Sequence, residues 1–161
     1  MTENEIASSS PVELARAHHS KSLTASPIYG FLLQNLVVLP STVAGTSLSS
    51  LILEPQHLNS KGSIHGSVSA TIVDWASGNA LATTGSHSGV SVDMHVTFMN
   101  TCKGGEKMII KVREVCSSSE DGLMNRCGGI HVRYRESSIR RAVDWLSLES
   151  RSDENGMMRW S

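Results

Sequence analysis

Ile64-His-Gly-Ser-Val-Ser-Ala-Thr-Ile-Val-Asp-Trp-Ala-Ser-Gly-Asn-Ala-Leu-Ala-Thr-Thr84 is the stretch that decides the fold. Val68, Ile72, Trp75, Ala76, Asn79 and Ala82 recur at three- and four-residue steps, the period of one helix face. The spacing predicts a helix over 64–84 with Gly85 as its C-cap. The other side carries Ser67, Ala70, Asp74, Ser77, Gly78 and Leu81, mostly small residues of the kind found where another backbone or a ligand approaches. Gly78 costs about 0.5–1 kcal/mol of helix propensity, so a packing or access benefit is expected there. Asp74 is the anomaly, because a carboxylate on so apolar a helix is costly unless it is paired or used.

Working outward, a polar loop runs up to Ser63, and Gly66 falls close to the helix start. Unpaired N–H groups and the helix dipole favour negative charge there. Such a site can polarise a carbonyl and stabilise the oxyanion of acyl transfer. Every helix has a start, so the feature is weak alone. Asp74 lies nine residues beyond His65, roughly 13–14 Å farther along the axis and turned through about 900° to nearly the opposite side. One copy of the helix does not put both groups on one reacting centre. Two copies around a two-fold axis would, making two equivalent sites.

Upstream, Ser10 and Pro11 read as the cap and first residue of a short helix after a polar tail. Leu32 to Leu39 reads as a strand stopped at Pro40, and Thr46 to Leu53 as its hairpin partner beyond a turn at Gly45. Downstream, Val90, Val92, Met94, Val96 and Phe98 alternate with polar neighbours as in a strand. Lys103-Gly104-Gly105 is a turn leading to a strand over 106–115. One long helix beside an antiparallel sheet is an α+β layer pattern. No glycine-rich loop follows a parallel strand, so a dinucleotide site has no support. In the last third, 117–121 reads as a loop, Gly128-Gly129 as a turn, Ile130 to Arg135 as a strand and Ile139 to Leu148 as a helical stripe. The expected organisation is a tail and short helix over 1–30, the main domain over 31–149 and a loose polar end over 150–161.

At 161 residues the chain fits one domain with a moderate core. Charged residues make up 18 % and the formal net charge is -1, which gives no sign of a nucleic-acid surface. Cys102, Cys116 and Cys127 are odd in number and lack close metal-ligand spacing, so free thiols in a reducing compartment are the plain reading. No apolar run approaches the roughly 18 residues of a membrane span, and no secretory signal pattern opens the chain. The cytoplasm is the default compartment, with a mitochondrial location left open by His18, His19 and Lys21.

The motifs Asn59-x-x-Gly62-x-x-His65-Gly66, Thr71-Ile-Val-Asp74 and Gly89-Val-Ser-Val-Asp-Met94 occur in order. Together they resemble the PaaI-type hotdog thioesterases, and within them the acyl-CoA thioesterase 13 group, over about Leu36 to Val115. The resemblance implies a hotdog fold, a long helix wrapped by an antiparallel sheet. It also implies homodimers whose sheets join, commonly paired as homotetramers, and hydrolysis of acyl-CoA thioesters. Coenzyme A would then be the substrate's carrier, with no retained cofactor. By position, the resemblance makes Asp74 the general base or direct nucleophile, with Ser91 positioning the attacking water beside it. Asn59, His65 and Gly66 would come from the partner subunit, Gly66 N–H as oxyanion donor, Asn59 holding water or thioester, and His65 orienting loop and substrate.

Plainer readings stand beside these. Asp74 fits a buried acid satisfied by helix N–H groups or a cross-interface donor, and Asn59 an Asx-turn. His65 fits a packing residue and Ser91 a bridge between strands. Asp93 and His95 lack a third ligand at convincing spacing, so no metal is expected. The family commonly has Gly-Gly after the histidine, where this chain has Gly66-Ser67. A serine there adds bulk beside the oxyanion site. The resemblance also stops near Ser119, for which genuine divergence and an altered reading frame or splice choice are the two accounts. Continuous coding support across 116–161 would eliminate the second. A catalytically weak or inactive acyl-CoA-binding protein is the alternative function. An enoyl-CoA hydratase would need a differently placed Asp–His arrangement.

Overall fold

The computed structural model describes residues 9–41, 43–85, 91, 94–98, 100–116, 127–136, 146–148, 150–152 and 158–160, with side chains as far as Arg113. Helix α1 (Pro11–Ala25) is followed by the short α2 (Pro27–Leu32), then β1 (Val37–Leu39) and β2 (Thr46–Ile52). A single 3-10 turn (Pro55–His57) precedes the long α3 (Gly66–Ala82). Strands β3 (Lys107–Cys116), β4 (Cys127–Glu136) and β5 (Leu146–Leu148) complete a five-stranded sheet in the order β1-β2-β3-β4-β5. All its neighbours are antiparallel. This is the α+β arrangement that the resemblance implies.

Register places one buried row from each of β1, β2 and β3 under α3. Ser47, Ser49 and Leu51 of β2 stand opposite Val112, Ile110 and Met108 of β3, and Val38 of β1 stands opposite Ser49. All seven are buried. Against this face α3 packs Val68, Ile72, Val73, Trp75, Ala76 and Ala80, all within one core cluster. The expected stripe is present, and Asn79 within it is also fully buried. Ile72 and Ile110 are both 0 % exposed, so neither can be truncated without leaving a cavity. Ile72→Ala should cost about 2–5 kcal/mol of unfolding free energy, read from the urea midpoint at unchanged m-value.

The N-terminal helices are larger than the sequence signals indicate. Ser10 caps α1 through a full capping box with Glu13. Leu32 closes α2 and Leu33 is its C-cap, so the expected strand over 32–39 shrinks to Val37–Leu39. Leu32, Leu33 and Leu36 are all buried, and their spacing suits a helical approach to the core as well as a strand. Helix α1 lies on α3, where the His18 ring stands at Gly78 and the His19 ring meets Trp75 edge-on at 5.2 Å. The small residue at 78, expected to admit a second copy or a ligand, therefore admits α1 of the same chain. A Cβ there would lie 3.3 Å from His18 Nε2.

Burial pushes both imidazoles below their ordinary value, with the charges of His19 and Lys21 adding to the effect at His18. Because the folded chain favours the neutral rings, their contribution to stability is complete above about pH 6.5 and is lost as the pH falls through their lowered values. The denaturant midpoint should therefore fall between pH 7.5 and pH 5, and more steeply in the parent than in a His18→Gln/His19→Gln double variant.

Three further expectations change. Among the described residues of the segment 90–99 no strand pairing occurs. Met94 and Val96 still pack on the core while His95 and Thr97 face solvent, but Phe98, expected on the inward side, is 59 % exposed, so the two-residue period holds only over 94–97 and without a ladder. Gly128-Gly129 lies inside β4 and not in a turn. The register passes from Glu114↔Ile130 to Cys116↔Cys127, which leaves one extra residue on β4 at the glycines, a bulge position. Leu146–Leu148 is a strand, not the end of a helical stripe, and Ser150–Ser152 pairs with Met158–Trp160 where a loose end is expected. The expected loop at 117–121 and the stripe over 139–145 fall outside the described residues. Among the described residues no helix is long and apolar enough to cross a membrane.

Candidate active site

The loop before α3 is held at both ends. Leu58 bridges Ile64 and Ser63 bridges Lys103 as isolated antiparallel contacts. Ile64 N–H donates to the Cys102 carbonyl at 2.9 Å and His65 N–H to the His57 carbonyl at 2.8 Å. Within the loop, Asn59 Oδ1 accepts from Lys61 N–H at 2.9 Å and Ser63 N–H at 3.3 Å, while its Nδ2 donates to the Ile64 carbonyl at 3.3 Å. In the single chain Asn59 thus forms the Asx-type turn, which closes through Gly62 at φ 70°. A loop fixed in this way presents the helix start rigidly.

His65 is the N-cap of α3. Its Nδ1 accepts the Ser67 N–H at 3.1 Å, and the Ser67 hydroxyl lies 2.7 Å from the same nitrogen. Those partners assign the neutral ring's proton to Nε2, which faces outward from an exposed side chain. Ser67, where the resemblance implies a second glycine, therefore turns toward His65. Gly66 occupies the first helical position, whose N–H has no acceptor within the helix. The Phe98 ring is the nearest group to the space over its Cα, and a Cβ there would stand 3.5 Å from it.

Asp74 sits two turns along the same helix, half-buried. Its Oδ1 accepts the Ser91 hydroxyl at 2.5 Å and its Oδ2 accepts the Tyr29 hydroxyl at 2.5 Å. Two hydroxyl donors, one on each oxygen, satisfy the acid while leaving a further lone pair on each oxygen. Ser91 is the neighbour that the resemblance implies. Tyr29 is not. It comes from α2, 45 residues away, and its only sequence signal is indirect: Ser26-Pro27 is a helix start that places it in the first turn. His57 is a second residue with no sequence warning. Fully buried, it accepts Glu54 N–H at Nδ1 and donates from Nε2 to the Leu32 carbonyl at 2.8 Å, which pins the end of α2.

The chain thus brings Asp74 and Ser91 together, and separately Asn59, His65 and Gly66. It does not bring the two groups to one point, because Asp74 lies about two turns beyond Gly66 along α3. Asp93 lies outside the described residues. Among the described residues no three His, Cys, Asp or Glu side chains gather as a metal site.

The family model described as the thioesterase superfamily matches residues 61–115, a span that contains Gly66, Asp74 and Ser91. Acyl-coenzyme A thioesterase 13 of Homo sapiens is 39 % identical over 75 residues, covering 46 % of this chain and 54 % of that protein. The chain spans about half the length of the curated relatives it matches. Among solved structures, zebra fish thioesterase superfamily member 2 superposes with a TM-score of 0.65 at 25 % identity, covering 81 % of this chain and 90 % of its own.

Residues 61–115 thus match the thioesterase superfamily, and the chain has the hotdog fold of its solved neighbours.

The hotdog fold itself extends beyond close relatives. The E. coli PaaI protein of the phenylacetic acid degradation operon superposes with a TM-score of 0.64 at 13 % identity, over 86 % of this chain and 92 % of that one. In this hotdog chain the sheet cradles α3, and both candidate groups of the site belong to α3 or to segments packed on it.

Proposed function

We propose that the protein is an acyl-CoA thioesterase whose site is completed between two copies of the chain. The observation that carries this reading is the Asp74 carboxylate, half-buried on the core helix with a hydroxyl donor on each oxygen and lone pairs still open to water. A carboxylate so placed takes a proton from water as hydroxide adds to the thioester carbon. The Gly66 N–H of the other copy receives the oxyanion, with His65 and Asn59 shaping that helix start. Collapse breaks the carbon–sulfur bond, and the proton held by Asp74 passes to the leaving sulfur, giving a carboxylic acid and free CoA.

The 13–14 Å or so between His65 and Asp74 along one helix is what requires the second copy. A homodimer is the smallest assembly that satisfies it, and a homotetramer of two such dimers would carry four sites. Coenzyme A enters as substrate carrier only.

Purified protein given short-, medium- and long-chain acyl-CoAs should release free thiol, read with a thiol reagent. Tight acyl-CoA binding without release would favour the alternative, a hotdog binding protein in which Ser67 beside the helix start has replaced turnover with capture.

A further inference from the structure

We propose that Tyr29 is a positioning residue for the reaction, a phenol that fixes the plane of the Asp74 carboxylate, so that the N-terminal helices form part of the active site. This rests on the reading of Asp74 as the base.

An aspartate on a helix face turns about two side-chain bonds, and one donor on one oxygen leaves the second rotation open. Ser91 holds Oδ1 and Tyr29 holds Oδ2, so both rotations are closed and the free lone pairs point in fixed directions. Tyr29 can do this because its own helix is anchored. Leu32 and Leu33 at the end of α2 are buried, and His57 donates to the Leu32 carbonyl. The phenol thus approaches the carboxylate from a fixed point on the far side from Ser91.

The donor also persists over the working pH range. Burial first, then the hydrogen bond and charge of Asp74, raise the Tyr29 phenol well above its ordinary value, so it keeps its proton where a surface tyrosine would begin to lose it. No charged group among the described residues forms an ion pair with Asp74. The other titratable side chains packed on α3 are His18 at Gly78 and His19 against Trp75.

The test is acyl-CoA hydrolysis and melting of parent, Tyr29→Phe and Asp74→Asn proteins. The phenylalanine variant keeps the ring and its packing and loses only the donor. It should lower kcat by about tenfold with KM within twofold and the melting temperature unchanged. Incorporation of 3-fluorotyrosine at position 29 keeps a hydroxyl donor on the same ring and should hold kcat close to the parent's. If Asp74→Asn is inactive but Tyr29→Phe matches the parent in kcat, the Tyr29 role is wrong and the thioesterase reading stands. If kcat falls equally in Tyr29→Phe and the fluorinated protein, the hydroxyl is not what matters and Tyr29 is only a packing residue. If Asp74→Asn is as active as the parent, the base is elsewhere, and the roles of Asp74 and Tyr29 fall together while the thioesterase activity stands.

Discussion

Asp74→Asn should lower kcat for acyl-CoA hydrolysis by about 10²–10⁴, the range of a lost general base. Binding and fold should survive. The amide has nearly the shape of the carboxylate, its oxygen still accepts one hydroxyl, and the hydroxyl facing its nitrogen can turn to accept instead of donate. Tyr29 and Ser91 therefore keep partners and α3 keeps its place. What disappears is the ability to take a proton from water. An unchanged melting temperature beside a collapsed kcat separates this chemical loss from a structural one. Comparable turnover in the two folded proteins would remove Asp74 from the mechanism.

Gly66→Pro should be almost as damaging, for a different reason. Proline lacks the N–H that is assigned here to the oxyanion, and loss of one such donor typically costs about 10²–10³ in kcat. Proline is usually a disruptive choice, but the first position of a helix is where it is favoured. The residue before it must be extended, and His65 already is, at φ -74° and ψ 139°. The Cβ has ordinary van der Waals room against Phe98. Circular dichroism and melting should match the parent while turnover falls. A folded Gly66→Pro protein with parental kcat would show that the oxyanion is held elsewhere.

The sequence made the centre of the fold legible and its edges less so. Helix α3 announces itself because its buried residues follow a helical period, although it runs Gly66–Ala82, two residues inside each expected end, and its C-cap is Thr83 where Gly85 is expected. Strands β2 and β3 are equally clear, their inward rows meeting in register. The site was legible in part: Asp74 stands out as an acid on an apolar helix, and the family motif supplies its pairing with Ser91. Tyr29 does not stand out, since a hydrogen bond across 45 residues leaves no periodic trace. The run from Leu32 to Leu39 misleads because a short apolar stretch has no period of its own, and tertiary burial of Leu32, Leu33 and Leu36 decides for a helix end. Gly128-Gly129 misleads for the converse reason, local turn chemistry being overridden by pairing with β3, which absorbs the glycines as a bulge.

The most direct test of a site shared between copies is the activity of a purified heterodimer. Asp74→Asn and Gly66→Pro chains carrying different affinity tags would be co-expressed and isolated on both tags in turn. Each homodimer has two defective sites. If Asp74 of one copy works with Gly66 of the other, the heterodimer holds one intact site and one doubly defective site, and should hydrolyse acyl-CoA at about half the parental rate. A folded heterodimer as inactive as either homodimer would contradict the shared site.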